Sequence, residues 1–210
     1  MLGSFCFHQL IGPQRKFEIL VTVTDLILGV DPGTRLCGWG VVRNGEELVA
    51  LGVIEASESL PIEQRLRIMF EGLQAVIAAH HPGLVAVEGA FFGKNVRSAI
   101  RLGEGRATAL VAAALADLPV VELPASSVKK AVVGHGAATK EQVRTALEAT
   151  LRGNLREKAK DLPLDATDAL ALAVAAHVRG SAPGGARRSK RRGRWTSEDL
   201  ARLGMEEERG

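Results

Sequence analysis

Two short apolar runs, each stopped by an acid, constrain the fold of this chain more than any other feature. Leu26-Ile-Leu-Gly-Val ends on Asp31, and Leu84-Val-Ala-Val ends on Glu88. Apolar runs of this length, bounded by turn residues, suit buried strands. A carboxylate at the end of a buried run is poorly solvated and needs a partner. After Asp31 a Pro-Gly-Thr-Arg turn leads into Gly38-Trp-Gly-Val-Val-Arg43. Asn44-Gly45 then signals a hairpin, and the extended pattern resumes from Glu47 to Glu55. Three antiparallel strands in sequence is the simplest account.

Pro61 stands where a first helical turn tolerates proline, and Leu66, Met69, Phe70, Leu73, Val76 and Ile77 recur at helical spacing. That helix is expected to end near His80, ahead of Pro82. Beyond Glu88 an alanine-rich stretch over about residues 95–118 predicts a long helix, with Gly103 and Gly105 as weak points. Pro119-Val-Val-Glu-Leu123 reads as a fifth strand. Ser126 is placed to cap a short helix through Val133, and Gly134-His-Gly136 breaks it. Thr139-Lys-Glu-Gln142 is a capping box opening a helix to about Leu151. Residues 153–164 read as a polar connector, and Asp165 to Val178 as a last amphipathic helix. The order predicts one α/β domain: a mixed five-stranded sheet, three antiparallel strands then two parallel, flanked by helices.

Composition bounds the setting. Of 210 residues, 46% are hydrophobic and 24% charged, which excludes a disordered chain. No apolar run approaches the roughly 18 residues that a membrane-spanning helix needs. Two cysteines, Cys6 and Cys37, make neither a disulfide scaffold nor a zinc finger, and the setting implied is reduced and cytoplasmic. Residues 1–24 lack the pattern of a secretory signal and read as an extension expected to be disordered. The domain is expected over 25–180, and 181–210 as a flexible tail with the basic run Arg187 to Arg194. That tail holds 8 basic and 5 acidic residues, the whole net charge of +3. Residues 94–160 hold 12 basic against 6 acidic residues. A basic stretch beside an acidic pocket suits a polyanion, although charge alone equally fits a solvated face.

The acids carry the chemistry. Asp165 and Asp168 open the last helix, and residues three apart share one helical face. Acids in a first turn also complement the helix dipole, which is the bland reading of this pair. If the two acid-ended strands are neighbours, Asp31 and Glu88 join that pair. Carboxylates so gathered raise one another's pKa unless cations neutralise them. No His or Cys cluster competes for zinc, so oxygen ligands point to Mg²⁺ or Mn²⁺. Two such ions, about 3.5–4 Å apart, would suit phosphodiester hydrolysis.

These residues carry a resemblance. Ile27-Leu-Gly-Val-Asp-Pro-Gly-Thr-Arg35 with Gly38-Trp-Gly40, Val87-Glu88 with Phe91-Phe-Gly-Lys-Asn95, and Asp165-Ala-Thr-Asp-Ala-Leu-Ala171 resemble the RuvC family. Leu102-Gly-Glu-Gly-Arg106 and Val128-Lys-Lys-Ala-Val-Val-Gly134 extend the likeness over about residues 26–179. That family comprises bacterial Holliday-junction-resolving endonucleases with an RNase H-like fold. The resemblance implies that Asp31, Glu88, Asp165 and Asp168 are the catalytic, metal-binding quartet, with two Mg²⁺ or Mn²⁺ ions per site. It implies that Lys129 and Lys140 contact junction DNA, and that Phe91 stacks on bases at the crossover. Lys94, with Arg97 and Arg101 at helical spacing, could hold a phosphate backbone, an exposed helix face being the equal alternative. The implied partners are four-way junction DNA, a second copy of the chain in a homodimer, and branch-migration motor proteins.

Other readings stay open at this stage. Another RNase H-like nuclease would share the acidic constellation. A non-catalytic junction-binding protein would have no need of it. Asp31-Pro-Gly33 also fits an ATPase of the actin and sugar-kinase type, but the second motif and second domain of that fold are missing from the sequence.

Overall fold

Alternation with a period of two along the first strand decides what lies on each side of the sheet. In β1 (Leu26–Asp31), Leu28 and Val30 are buried in one apolar cluster and Ile27 in another. Gly29 and Asp31 share the face of Ile27. The computed structural model describes residues 25–89 and 96–181 of the chain. The expected 1–24 extension and nearly all of the 181–210 tail lie outside them.

β1 pairs antiparallel with β2 (Leu36–Arg43), and β2 with β3 (Glu47–Glu55). The β2–β3 turn places Asn44 at φ 51° and Gly45 at φ 71°, the left-handed pair that the Asn-Gly signal predicts. α1 (Ile62–His80) crosses one face, and its chain returns as β4 (Leu84–Glu88), parallel to β1. α2 (Val96–Leu115) leads to β5 (Val120–Leu123), parallel to β4. The sheet is mixed, three antiparallel strands then two parallel, as the sequence predicts, and its order, β3-β2-β1-β4-β5, makes β1 and β4 neighbours.

α3 (Ala125–Val133), α4 (Lys140–Thr150), α5 (Leu155–Lys158) and α6 (Leu164–Ser181) complete the described chain. α1 and α2 cover one face, where Met69, Leu73, Ala109 and Ala113 meet Leu28, Val30, Val85 and Val87. α3 to α6 cover the other, where Val128, Leu147, Leu155 and Leu170 meet Ile27, Val42, Ala86 and Leu123. No helix among the described residues is long and apolar enough to cross a membrane.

Two local expectations are corrected and two are borne out. α3 starts at Ala125 behind Pro124, with no side-chain cap, so Ser126 lies inside the first turn and caps nothing. Proline's fixed φ already sets that entry. α2 is the long helix expected and runs unbroken through its weak points, Gly103 and Gly105, because packing of its alanines outweighs the glycines' poor propensity. The connector over 153–164 contains α5, a single turn that buries Leu155 completely. The capping box is as expected: Thr139 accepts from the Gln142 N–H, and the Gln142 side chain accepts from the Thr139 N–H.

Candidate active site

β1 and β4 run side by side in register, Val30 opposite Val87, so Asp31 and Glu88 follow at the same end of adjacent parallel strands. The alternation that buries Val30 and Val87 on the α1–α2 face turns both carboxylates toward the α6 face. On the other side of β1, Asp31 pairs with Gly38 of β2.

That glycine brings in the second pair of acids. A Cβ at Gly38 would overlap the Asp165 carbonyl, so the start of α6 rests directly on the strand beside Asp31. Gly29 and Gly40, paired across β1 and β2, continue the bare track. A Cβ at Gly29 would stand 2.9 Å from the Ala173 N and closer still to the Ala169 carbonyl, and one at Gly40 would strike Leu170. The track lets a helix lie on a sheet with almost no intervening side chains. It fixes α6 so that its first turns, with Asp165 and Asp168, open at the acidic end of β1. Sequence alone does not mark these glycines as site-forming. Their sequence signal was Gly at alternating positions 38 and 40, one strand face without side chains.

The four acids share one electrostatic environment. Burial pushes the Asp31 carboxyl up to about 7, and the charges of Asp168, Glu88 and Asp165 push the same way against Lys140. Glu88 is also raised, by burial first and Asp168 next, with Lys140 and Lys129 opposing. Lys140, the first residue of α4, donates a hydrogen bond to Asp168 Oδ2 and is raised above the usual lysine range by that contact. Lys129 on α3 is half-buried and close enough for its charge to act on Glu88.

As the side chains stand, no three His, Cys, Asp or Glu among the described residues are gathered tightly enough to ligate one ion. The donor chemistry nonetheless fits a hard divalent cation. Carboxylates from three elements meet where their mutual repulsion is held off by lysine, and no imidazole or thiolate competes. Asp31, Glu88, Asp165 and Asp168 would hold such ions.

Phe91 and Lys94 lie outside the described residues. Of the basic series that follows, Arg101 is paired with Glu104 at 3.0 Å on α2. His135 is exposed in the α3–α4 loop, and His80 faces the Trp39 ring at 5.8 Å. Cys37 is buried with its thiol pushed up to about 12, so it packs and does not react.

Comparison with known proteins identifies the family. The family described as crossover junction endodeoxyribonuclease RuvC matches residues 27–177. A protein of that name from Trichlorobacter lovleyi is 46% identical over 151 residues, 70% of this chain and 82% of the relative. One from Pseudomonas putida is 43% identical over 173 residues, 80% of this chain and 96% of the relative. Among solved structures, Thermus thermophilus RuvC in complex with Holliday junction substrate superposes with a TM-score of 0.64 at 27% identity, over 86% of this chain and 96% of that one. Thermus thermophilus RuvC, solved in another structure, gives 0.61 at 26% identity, over 74% and 94%. The fold is accordingly RNase H-like, and this chain belongs to the RuvC family of crossover junction endodeoxyribonucleases.

Proposed function

We propose that this chain resolves four-way DNA junctions by metal-dependent phosphodiester hydrolysis, cutting two opposed strands symmetrically, in recombination and repair in the cytoplasm. The observation that carries the reading is the placement of Asp31 and Glu88 at the same end of adjacent strands β1 and β4, with the start of α6, which bears Asp165 and Asp168, resting on Gly38 beside Asp31. A relative solved with a Holliday junction supports the choice of substrate.

Asp31 and Glu88 end adjacent strands, and Asp165 and Asp168 open the helix that rests beside Asp31. Two Mg²⁺ or Mn²⁺ ions held there would lower the pKa of the attacking water and stabilise the leaving 3′ oxygen. The protein's own share is to hold the carboxylates rigidly and to bring positive charge to the phosphate. Rigidity comes from the sheet and the glycine track, which leave α6 no room to shift. Lys129 and Lys140 stand at the acids' edge, where a scissile phosphate would need cations. Phe91 and Lys94 belong to the same proposed interface, as a base-stacking group and a backbone contact. Recognition of a junction then rests on DNA shape and phosphate positions rather than base edges.

The proposed working form is a homodimer with one site per subunit, since a two-fold assembly suits a two-fold junction. The outer face of α2 supports this. Val96, Ile100, Val111 and Leu115 are all exposed, Val96 by 73%, and fall within an arc of about 100°. Branch-migration motor proteins complete the proposed set of partners.

The test is incubation of the purified chain with a synthetic mobile junction, a linear duplex and an RNA–DNA hybrid, each with Mg²⁺, Mn²⁺ or chelator. Paired symmetric nicks in the junction alone, lost with chelator and in Asp31→Asn, are expected. Equal cutting of the duplex or hybrid would assign a different nuclease activity.

A further inference from the structure

We propose that Lys140 is a built-in counter-ion of the acidic site: its ammonium holds Asp168 until divalent ions load, and so competes with them. The inference rests on the metal-site reading above and adds to it a determinant of ion affinity.

Three observations lead to it. Among the described residues, the Lys140–Asp168 contact is the only ion pair that any of the four acids makes. Lys140 also occupies an electrostatically wrong place, the first turn of α4, where the helix dipole favours anions. Its neighbour Glu141 is the kind of residue that belongs there. The capping box at Thr139 and Gln142 fixes where α4 begins, so the position of Lys140 is built and not a fraying end. A cation kept at the positive end of a helix is tolerated because acids face it. The third observation is exposure. The Lys140 side chain is 58% exposed against 25% for Asp168, so the lysine can swing away while the aspartate stays.

Charge balance gives the consequence. Four carboxylates facing two divalent ions are neutralised without the lysine, and an ammonium on the same oxygen is then repelled by the incoming charge. Ion loading must therefore break the Lys140–Asp168 pair, and the free energy of that pair is subtracted from the binding of the ions. Once released, Lys140 stands at the site's edge, free to face a phosphate.

Calorimetric titration of Mn²⁺ and Mg²⁺ into the metal-free full chain, without DNA, tests this. Lys140→Met removes the charge and keeps the stem; Lys140→Arg keeps the charge. Lys140→Gln provides a second neutral variant should Lys140→Met fold poorly, which circular dichroism reports. The neutral variants are expected to bind ions more tightly than wild type, by about fivefold. Lys140→Arg is expected to stay near wild type. Without metal, the neutral variants should melt lower at neutral pH, and saturating Mn²⁺ should recover a larger share of the difference than in wild type. Neutral variants that bind ions no tighter than a wild type that does bind them would overturn the counter-ion role alone. If neither wild type nor any variant takes up ions, the metal-site reading falls, and this inference with it.

Discussion

Asp31 is the residue on which the site's costs are concentrated. It closes a buried strand, that burial first and three further acids next raise its carboxyl to about 7, and a lysine only partly offsets them. Its folded-state value lies above the ordinary 3.8, so the native protein keeps a proton that the unfolded chain has released. Stability from this group is greatest at acid pH, falls as pH rises from about 4 to 7, and stays low above that. Glu88 is raised as well and adds in the same direction. In chelator, the melting temperature of wild type should therefore drop between pH 5 and pH 8, and Asp31→Asn should remove most of that drop. An identical pH slope in both proteins would show that Asp31 is not under this strain. Divalent ions should restore wild type at pH 8 and do much less for the variant. The acids themselves were legible in the sequence, because a carboxylate ending an apolar run stands out. The Lys140–Asp168 contact was not, since it joins residues 28 apart in the chain, on two different helices.

At the scale of elements, the site is an effect of close packing. α6 reaches the sheet only because Gly29, Gly38 and Gly40 leave a bare track under Ala169, Leu170 and Asp165. Gly38→Ala would put a methyl group into the Asp165 carbonyl, with strand and helix backbone both fixed. The expected result is a loss of about 2–3 kcal/mol in stability and displacement of the Asp165–Asp168 turn, with cleavage falling well beyond the loss in folded protein. A variant that melts and cuts like wild type would mean the track is not what positions the acids. Strands, hairpin and capping box followed from local chemistry: period-two alternation, φ-permissive Asn-Gly, Thr and Gln three apart; the adjacency of β1 and β4 did not, because it joins strands separated by a helix. The helix caps were harder to read. Ser126 is a good capping residue in general, but Pro124 had already set the start of α3. α5 escaped because one buried leucine in a four-residue turn has no period to detect.

For the whole molecule, α2 links the site to the proposed partner copy. Its inner face sets Gly105 against the Gly33 backbone in the loop after Asp31, with the nearest atom 2.9 Å from a Cβ placed there. Its outer face carries exposed Ile100 and Leu115. Ile100→Glu with Leu115→Glu should leave the fold intact, since neither side chain is in the core, and should yield a monomer in sedimentation where the proposed wild-type form is a dimer. Paired nicking should become unpaired. A double variant that remains dimeric would move the interface elsewhere. The family and its fold could be read over most of the chain from motifs in order. The α2 face could not, because exposure of an apolar side chain depends on what the fold puts beside it. The claim beneath all of these is that four acids from three elements make one divalent-ion site. A crystal of the full chain grown with Mn²⁺ tests it most directly, through the anomalous signal of the metal. Peaks are predicted within coordination distance of Asp31, Glu88 and the Asp165–Asp168 turn, and their loss in Asp31→Asn. Mn²⁺ that binds elsewhere, or not at all, in a well-ordered crystal would contradict the account.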